Sequence, residues 1–382
     1  MKTKKLLAIF AALAMSVTAL SLAACGKSTP DDPENPENPE PEPPAEETVY
    51  GLPVAERGRY IKDADLVQDG ETRYLLYTTN ETAGEEDNVI ALRKGEFEEG
   101  EGKGWTYSAE TVVIRGETGE WDEYIGSASL VKGTFALGSE SYGWLAAYCG
   151  TDKTNDTQYR IGLAVAKTPD GAWTKVSETP FIEIDGISAT SVGCYAPSLV
   201  NYDKESKVRL FYTYADQYGH FAKYTDIDAS DLTALSSEQA WEGNFVSNDG
   251  EVTGGDSETM FPNADFAYDG TNGKVYAVKD YSPSAATNPK YAEQLQLLWI
   301  DNGELGTIDE GDGWKSVKQW DFTDTPDGAY ERLYGACVIS DAYGRVDGAQ
   351  EISIVYNVCE IEADNEDWLF TQNLLELKAV LS

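Results

Sequence analysis

The stretch YIKDADLV (Tyr60–Val67) decides the fold, because a similar phrase returns four more times. Aligned on a small central residue, the copies read KDADLV, GSASLV, YAPSLV, PNADFA and YGACVI. Ala64, Ala128, Pro197, Ala264 and Ala336 stand in register, at separations of 64, 69, 67 and 72 residues. A turn and a second apolar run follow each copy, as in QDGET and RYLLYT after the first, or YDGTNG and KVYAVKD after the fourth. The Asp, Gly and Asn of these turns are what a β-hairpin needs. Third runs follow: NVIALRKG, RIGLAVAKT, HFAKYTDI, QLQLLWID and NLLELKAV. A tryptophan then opens a fourth segment at Trp105, Trp173, Trp241 and Trp314, spaced by 68, 68 and 73 residues. That is an independent count of the same period.

No long window has helical periodicity. Four short strands per period, repeated five times, are the mark of radial repetition around an axis. A pair of β-sandwiches also uses short strands, but has no reason to carry two periodic marks in phase. The expectation is an all-β, five-bladed β-propeller with four-stranded blades over residues 49–382. The fifth period ends near Leu381 without a fourth strand of its own. The stretch TVYGLPVAERGRY (Thr48–Tyr60) is expected to supply that strand and close the ring.

Ahead of the repeats, MKTKKLLAIFAALAMSVTALSLAAC has early lysines, an apolar run and small residues before Cys25. This is the layout of a secretory signal, too short and wrongly flanked for a membrane span. Leu22-Ala23-Ala24-Cys25 resembles a bacterial lipobox, so residues 1–24 are expected to be removed and Cys25 to carry lipid. Residues 25–48 hold seven prolines, eight acids and one lysine. Such a segment buries no core and stays extended. Together these features predict an exported chain, lipid-anchored to the bacterial cell envelope and held clear of it on an acidic stalk.

Charge narrows the partners. With the signal and stalk set aside, the remainder carries −34 of the chain's −38. A surface that acidic repels nucleic acid and anionic polymers, and so favours neutral or cationic ligands. Cys149, Cys194, Cys337 and Cys359 lie in apolar runs without CxxC spacing, and His220 is the single histidine. No zinc site of the common kinds fits that inventory. Both disulfides and buried free thiols remain open readings.

In a propeller the first strand of each blade lines the central channel. The aligned phrases therefore also give the channel-facing positions. Directly before the small residue stand Asp63, Ser127, Ala196, Asn263 and Gly335; one step earlier come Tyr195 and Tyr334; one step later come Asp65, Ser129, Ser198, Asp265 and Cys337. A polar pocket flanked by aromatic rings suits a carbohydrate ligand, whose hydroxyls meet short polar groups and whose C–H faces stack on rings. Ser127, Ser129, Asn263, Tyr195 and Tyr334 are the candidate contacts. Asp65 and Asp265 share one repeat position and would suit a structural calcium or sodium ion near the axis. Neither lies in a recognisable calcium loop, so no cofactor and no metal are expected.

At this point the chain resembles the family-43 glycoside hydrolases and their relatives, which are exported five-bladed propellers with an Asp in the first blade. RIGLAVAKTPDGAW (Arg160–Trp173) is similar to the strand and Asp-Gly-x-Trp phrase of that superfamily. The resemblance implies an inverting glycosidase of arabinofuranosidase or xylosidase type. Its general base falls on Asp63. Its blade-two Asp falls on Ser129 and its acidic Glu on Tyr195, so two of three carboxylates are missing. Glu258 and Glu331, in loops before a first strand, are the substitute acid candidates. Two readings follow: a glycan-binding lipoprotein that also hydrolyses arabinosyl or xylosyl glycans, or a non-catalytic glycan-binding or envelope protein-interaction propeller. In either case a monomer is expected.

Overall fold

The computed structural model describes residues 51–152, 158–183, 192–216, 219–235, 244–246, 260–281, 292–302, 313–325, 330, 332–360 and 366–381. Five antiparallel sheets follow the five sequence periods. The first blade runs β1 (Lys62–Asp69), β2 (Thr72–Asn80), β3 (Asn88–Phe97) and β4 (Trp105–Tyr107), with β5 (Thr111–Arg115) also on β3. The second is β6 (Tyr124–Leu137), β7 (Glu140–Thr151), β8 (Arg160–Ala166) and β9 (Trp173–Lys175). The third is β10 (Gly193–Asn201), β11 (Lys207–Asp216), β12 (Gly219–Asp228) and β13 (Asn244–Phe245). The fourth is β14 (Asp265–Asp269), β15 (Lys274–Tyr281), β16 (Gln294–Asp301) and β17 (Lys315–Asp321). The fifth is β18 (Arg332–Val338), β20 (Glu351–Cys359) and β21 (Asn373–Val380), while the short β19 (Ser340–Asp341) leaves it to pair in parallel with β1.

The core is divided among the blade interfaces. Val131, Leu145, Leu163, Leu210 and Tyr212 seal blades two and three; Phe211, Val275 and Phe266 seal three and four; Tyr276, Val338 and Ile354 seal four and five; Leu76, Ile90 and Leu130 seal one and two. Ile61, Leu66, Tyr77, Cys337 and Val355 seal five and one, so the ring is shut by packing. Each blade is pressed between two neighbours, which is why the middle strands are apolar on both faces. β7, for example, is buried without interruption from Trp144 to Thr151.

The expected closing strand is not formed by residues 51–60, and blade five has three strands among the described residues. Pro53 and the positive-φ Gly51 and Gly58 break any strand there. The segment lies in the seam instead. Gly51 N–H donates to Trp105 O (2.8 Å), Ala55 N–H to Asn373 Oδ1 (3.0 Å) and Ile61 N–H to Gln372 O (3.4 Å), while Leu52 and Ala55 pack on the apolar cluster between blades five and one.

A second closure comes from the long turn of blade five. Residues 340–346 cross the far end of the channel and touch every other blade. Ser340 and Asp341 pair with Val67 and Gln68 of β1. Lys132 N–H donates to Ala342 O (2.6 Å), Asn201 N–H to Tyr343 O (2.9 Å) and Tyr268 N–H to Gly344 O (3.1 Å). The segment is a plug across that end of the channel.

Cys149, Cys194, Cys337 and Cys359 are all free and buried. Burial pushes the Cys149 thiol up to about 12 and that of Cys359 to about 11. Since the thiolate is the reactive form, these thiols are expected to ignore Ellman's reagent at pH 8 in the native chain and to react fully in guanidinium. Rapid native labelling of any of them would contradict the packing of the inner strands.

Candidate functional site

The five aligned phrases share a backbone feature. Asp63, Ser127, Ala196, Asn263 and Gly335 all have positive φ, at 51°, 38°, 46°, 47° and 55°. The strand register shifts at this point in β1, β6, β10 and β18, as it does at a β-bulge. A left-handed residue within a strand is strained unless its surroundings fix it. Here the preceding blade does so. Asp63 N–H donates to Asn357 Oδ1, Ser127 N–H to Thr78 Oγ1 and Gly335 N–H to Asp280 Oδ1, each at 2.8 Å. The remaining two, Ala196 and Asn263, lie beside Cys149 and Tyr195 of the preceding blade.

One step deeper, a second ring of bonds runs in the same sense. Asp65 accepts from Leu130 N–H (2.8 Å), Ser129 from Leu199 N–H (3.1 Å), Ser198 from Phe266 N–H (2.9 Å) and Asp265 from Val338 N–H (2.7 Å). In the fifth blade the buried Cys337 takes this position, beside Leu66 of the first blade. The residue types differ, but the four oxygen-bearing side chains all accept. The two rings together line a cavity of about 30 Å³, with Asp63, Ser127 and Asn263 on its walls as well as Asp65, Ser129 and Asp265. That is room for a water or two and far too small for a sugar. Burial first, and then the charge of Asp265, raise the Asp65 carboxyl; burial raises Asp265 as well. Among the described residues, no group of three or more histidine, cysteine, aspartate or glutamate side chains is gathered for a metal ion.

The outer of the two rings lies toward the channel mouth. Asp63 is 22% exposed there, with Lys62 Nζ 3.8 Å from its carboxylate. Its charge is felt by Cys149, Tyr195, Asp280 and Tyr334, one group on each of the other four blades. Asp63 therefore stands near the axis. Gly335 makes room for it: a Cβ there would begin 3.4 Å from Asp63 Oδ1 and 3.2 Å from Asn357 Oδ1. Ser127 and Asn263 are half-buried and line the same cavity as Asp63.

The other sequence candidates are placed differently. Ser129 is buried and committed to Leu199. The Tyr195 hydroxyl meets His220 Nδ1 at 2.7 Å. Tyr334 is 6% exposed, its hydroxyl is bonded to Gln372, and the Arg332 guanidinium covers its ring at 4.0 Å. The ring face expected to stack on a sugar is thus taken by Arg332. Glu258, Glu331 and Cys25 lie outside the described residues.

Asp280, at the end of β15, is the residue that reading the first strands missed. Burial pushes its carboxyl up to about 7, against hydrogen bonds from Asn263 and Gly335 and the Arg332 charge. Aligning the second strands would have flagged it, because the same position holds Thr78, Cys149, Thr213 and Asn357 in the other blades.

Similar solved structures share this ring. An α-L-arabinofuranosidase from Podospora anserina, solved in complex with cellotriose, superposes with a TM-score of 0.54 at 10% identity over 87% of this chain and 94% of that one. The fold is that of the five-bladed propeller glycoside hydrolases. An α-L-arabinofuranosidase from Lactobacillus brevis gives 0.54 at 11% identity, covering 83% of this chain and 90% of its own. A family 117 glycoside hydrolase from Zobellia galactanivorans gives 0.51 at 10% identity, covering 87% and 90%. No protein-family model and no curated protein matches the chain.

Proposed function

We propose that the chain is an exported, lipid-anchored envelope protein whose propeller binds neutral arabinosyl- or xylosyl-type glycans at the channel mouth. The observation that carries this reading is Asp63, partly exposed near the axis of the ring, with Ser127 and Asn263 beside it. Short polar groups around a carboxylate match the hydroxyls of a sugar. The propeller shared with arabinofuranosidases supports the reading without deciding it.

Binding stands ahead of turnover for a chemical reason. Inversion at a glycosidic bond requires an acid and a base about 6.5–9.5 Å apart. The positions of the expected second and third carboxylates hold Ser129, bonded to the next blade through Leu199 N–H, and Tyr195, bonded to His220 of its own blade. Asp280 can hold a proton near neutrality, but it is 5% exposed.

The test is calorimetric titration of the full chain with arabinan, arabinoxylan and galactan, with sugar release followed in the same samples. Asp63→Asn is expected to weaken binding about tenfold or more, the scale of a lost hydrogen bond to a charged group, with the melting temperature unchanged. A variant that binds like the parent removes Asp63 from the site. Release of sugar that disappears in the variant would replace binding by catalysis.

A further inference from the structure

Asn263 lines the channel, and the direction of its side-chain amide is set from behind. Its Nδ2 donates to Asp280 Oδ2 at 2.6 Å. The other carboxylate oxygen, Oδ1, accepts from Gly335 N–H at 2.8 Å. Asp280 therefore spans the fourth and fifth blades with both oxygens used as acceptors. The Asn263 carbonyl oxygen points away from this bond, and no protein donor to it is found among the described residues. An amide has a donor end and an acceptor end. Whichever end Asp280 takes, the mouth receives the other.

We propose that Asp280 is a positioning residue that turns the Asn263 amide so that its carbonyl oxygen faces the mouth, and that a proton on Asp280 reverses it. The logic is fixed by Gly335, whose N–H can only donate. Oδ1 must stay an acceptor, so a proton added to Asp280 goes to Oδ2. The resulting O–H then donates to Asn263 Oδ1, and the amino group turns to the mouth. With Asp280 ionised, the mouth offers two acceptors, Asp63 and Asn263, to the donor hydroxyls of a glycan. With Asp280 protonated, one of the two becomes a donor.

Other groups facing Asp280 bias this choice. Arg332 from β18 favours the ionised form and Asp63 from β1 the protonated form. The Asp280 charge in turn is felt by Tyr195 and Tyr334. Lys279, its neighbour in β15, donates from Nζ to Met260 O at 2.5 Å. Burial sets the titration about neutrality. The switch deepens the glycan-binding reading and rests on it for its ligand, but the amide itself can be watched without one.

Asp280→Asn isolates the effect. The new amide oxygen must again accept from Gly335 N–H, which leaves the new amino group facing Asn263. The variant therefore locks the reversed amide while keeping size and fold. Adding Asn263→Asp restores an acceptor at the mouth, because the new carboxylate accepts from the amide introduced at position 280 with one oxygen and presents the other.

The experiment follows the side-chain amide signal of Asn263 by NMR in the 15N-labelled full chain from pH 5 to pH 9, with arabinan titrations at pH 5.5 and 8. One titration of the Asn263 signal is expected in the parent. A signal fixed near the low-pH position is expected in Asp280→Asn. Arabinan should bind about tenfold more weakly at pH 5.5 than at pH 8, equally weakly at both in the single variant, and near parental strength at pH 8 in the double variant. An Asn263 signal indifferent to pH or to Asp280→Asn overturns the proposal, as does a single variant that binds like the parent. If the amide titrates as described and arabinan does not bind, the switch stands and the arabinosyl reading of the mouth falls.

Discussion

Gly344→Ala is expected to destabilise the ring by about 3–5 kcal/mol, the upper range for a single substitution. Gly344 sits in the plug with φ at +74°, where an L side chain is strained by about 1–2 kcal/mol. The larger effect is steric. A Cβ would lie 2.4 Å from Leu199 O and 3.0 Å from Val200 Cα, both backbone atoms of the third blade's inner strand. Neither can swing aside as a side-chain tip would. The plug must lift, and its bonds from Lys132, Asn201 and Tyr268 are lost together because one short segment makes them all. Gly70→Ala is the matched control. Gly70 has a similar φ of +65° but nothing within 4 Å of the added carbon, so it reports strain alone, about 1 kcal/mol. At about 2–4 °C per kcal/mol, thermal melts should place Gly344→Ala on the order of 10 °C below the parent and Gly70→Ala only a few degrees below. Equal shifts would show that the plug does not hold the ring.

The period was legible because every blade needs an inner strand of one length, and Ala64, Ala128, Pro197, Ala264 and Ala336 mark it. The placement of Asp63 beside the axis followed from the same alignment. The backbone turn at the residue before each small one was not legible. Asp63, Asn263 and Gly335 are types that tolerate the left-handed region, but Ser127 and Ala196 hide it. That turn also defeats the alternation of faces along a strand. A bulge adds a residue and shifts the parity beyond it, so Tyr334, read as facing the channel, points its hydroxyl at Gln372 instead. The plug looked like another hairpin loop. Its one signal was length: DAYGRVDGAQ has ten residues where QDGET has five. The closing strand failed for a local reason, since Gly51, Pro53 and Gly58 interrupt the apolar residues that suggested it. Asp280 lies outside the first-strand phrases that mark the channel. Only the packing of the fifth blade on the fourth encloses it, and no local pattern carries that.

Enclosed carboxyls make the ring's stability depend on pH in an unusual direction. Asp65 and Asp265 face the narrow cavity and Asp280 lies beneath the mouth; burial raises all three above the ordinary aspartate value of 3.8. An acid whose folded pKa exceeds its unfolded one holds its proton more tightly when folded. Between the two values the folded state binds more protons than the unfolded state, so stability falls as pH rises. The window opens near pH 4, where the unfolded carboxyls ionise, and closes near pH 7, where Asp280 has ionised in the fold. A one-unit difference corresponds to about 1.4 kcal/mol, which makes the summed fall several kcal/mol. The melting temperature is expected to be on the order of 5–10 °C higher at pH 5 than at pH 8. The chain's charge of −38 pushes the same way through self-repulsion, so the slope alone does not locate the cause. The double variant Asp65→Asn, Asp265→Asn does. Each amide oxygen can still accept the bond from Leu130 or Val338, while the charge is gone and the surface is untouched. The variant should melt higher than the parent at pH 8, differ little at pH 5, and show a flatter profile between. A parent more stable at pH 8, or a variant whose slope matches the parent's, would mean that the inner carboxylates have found compensation in the ring and that the slope belongs to the surface.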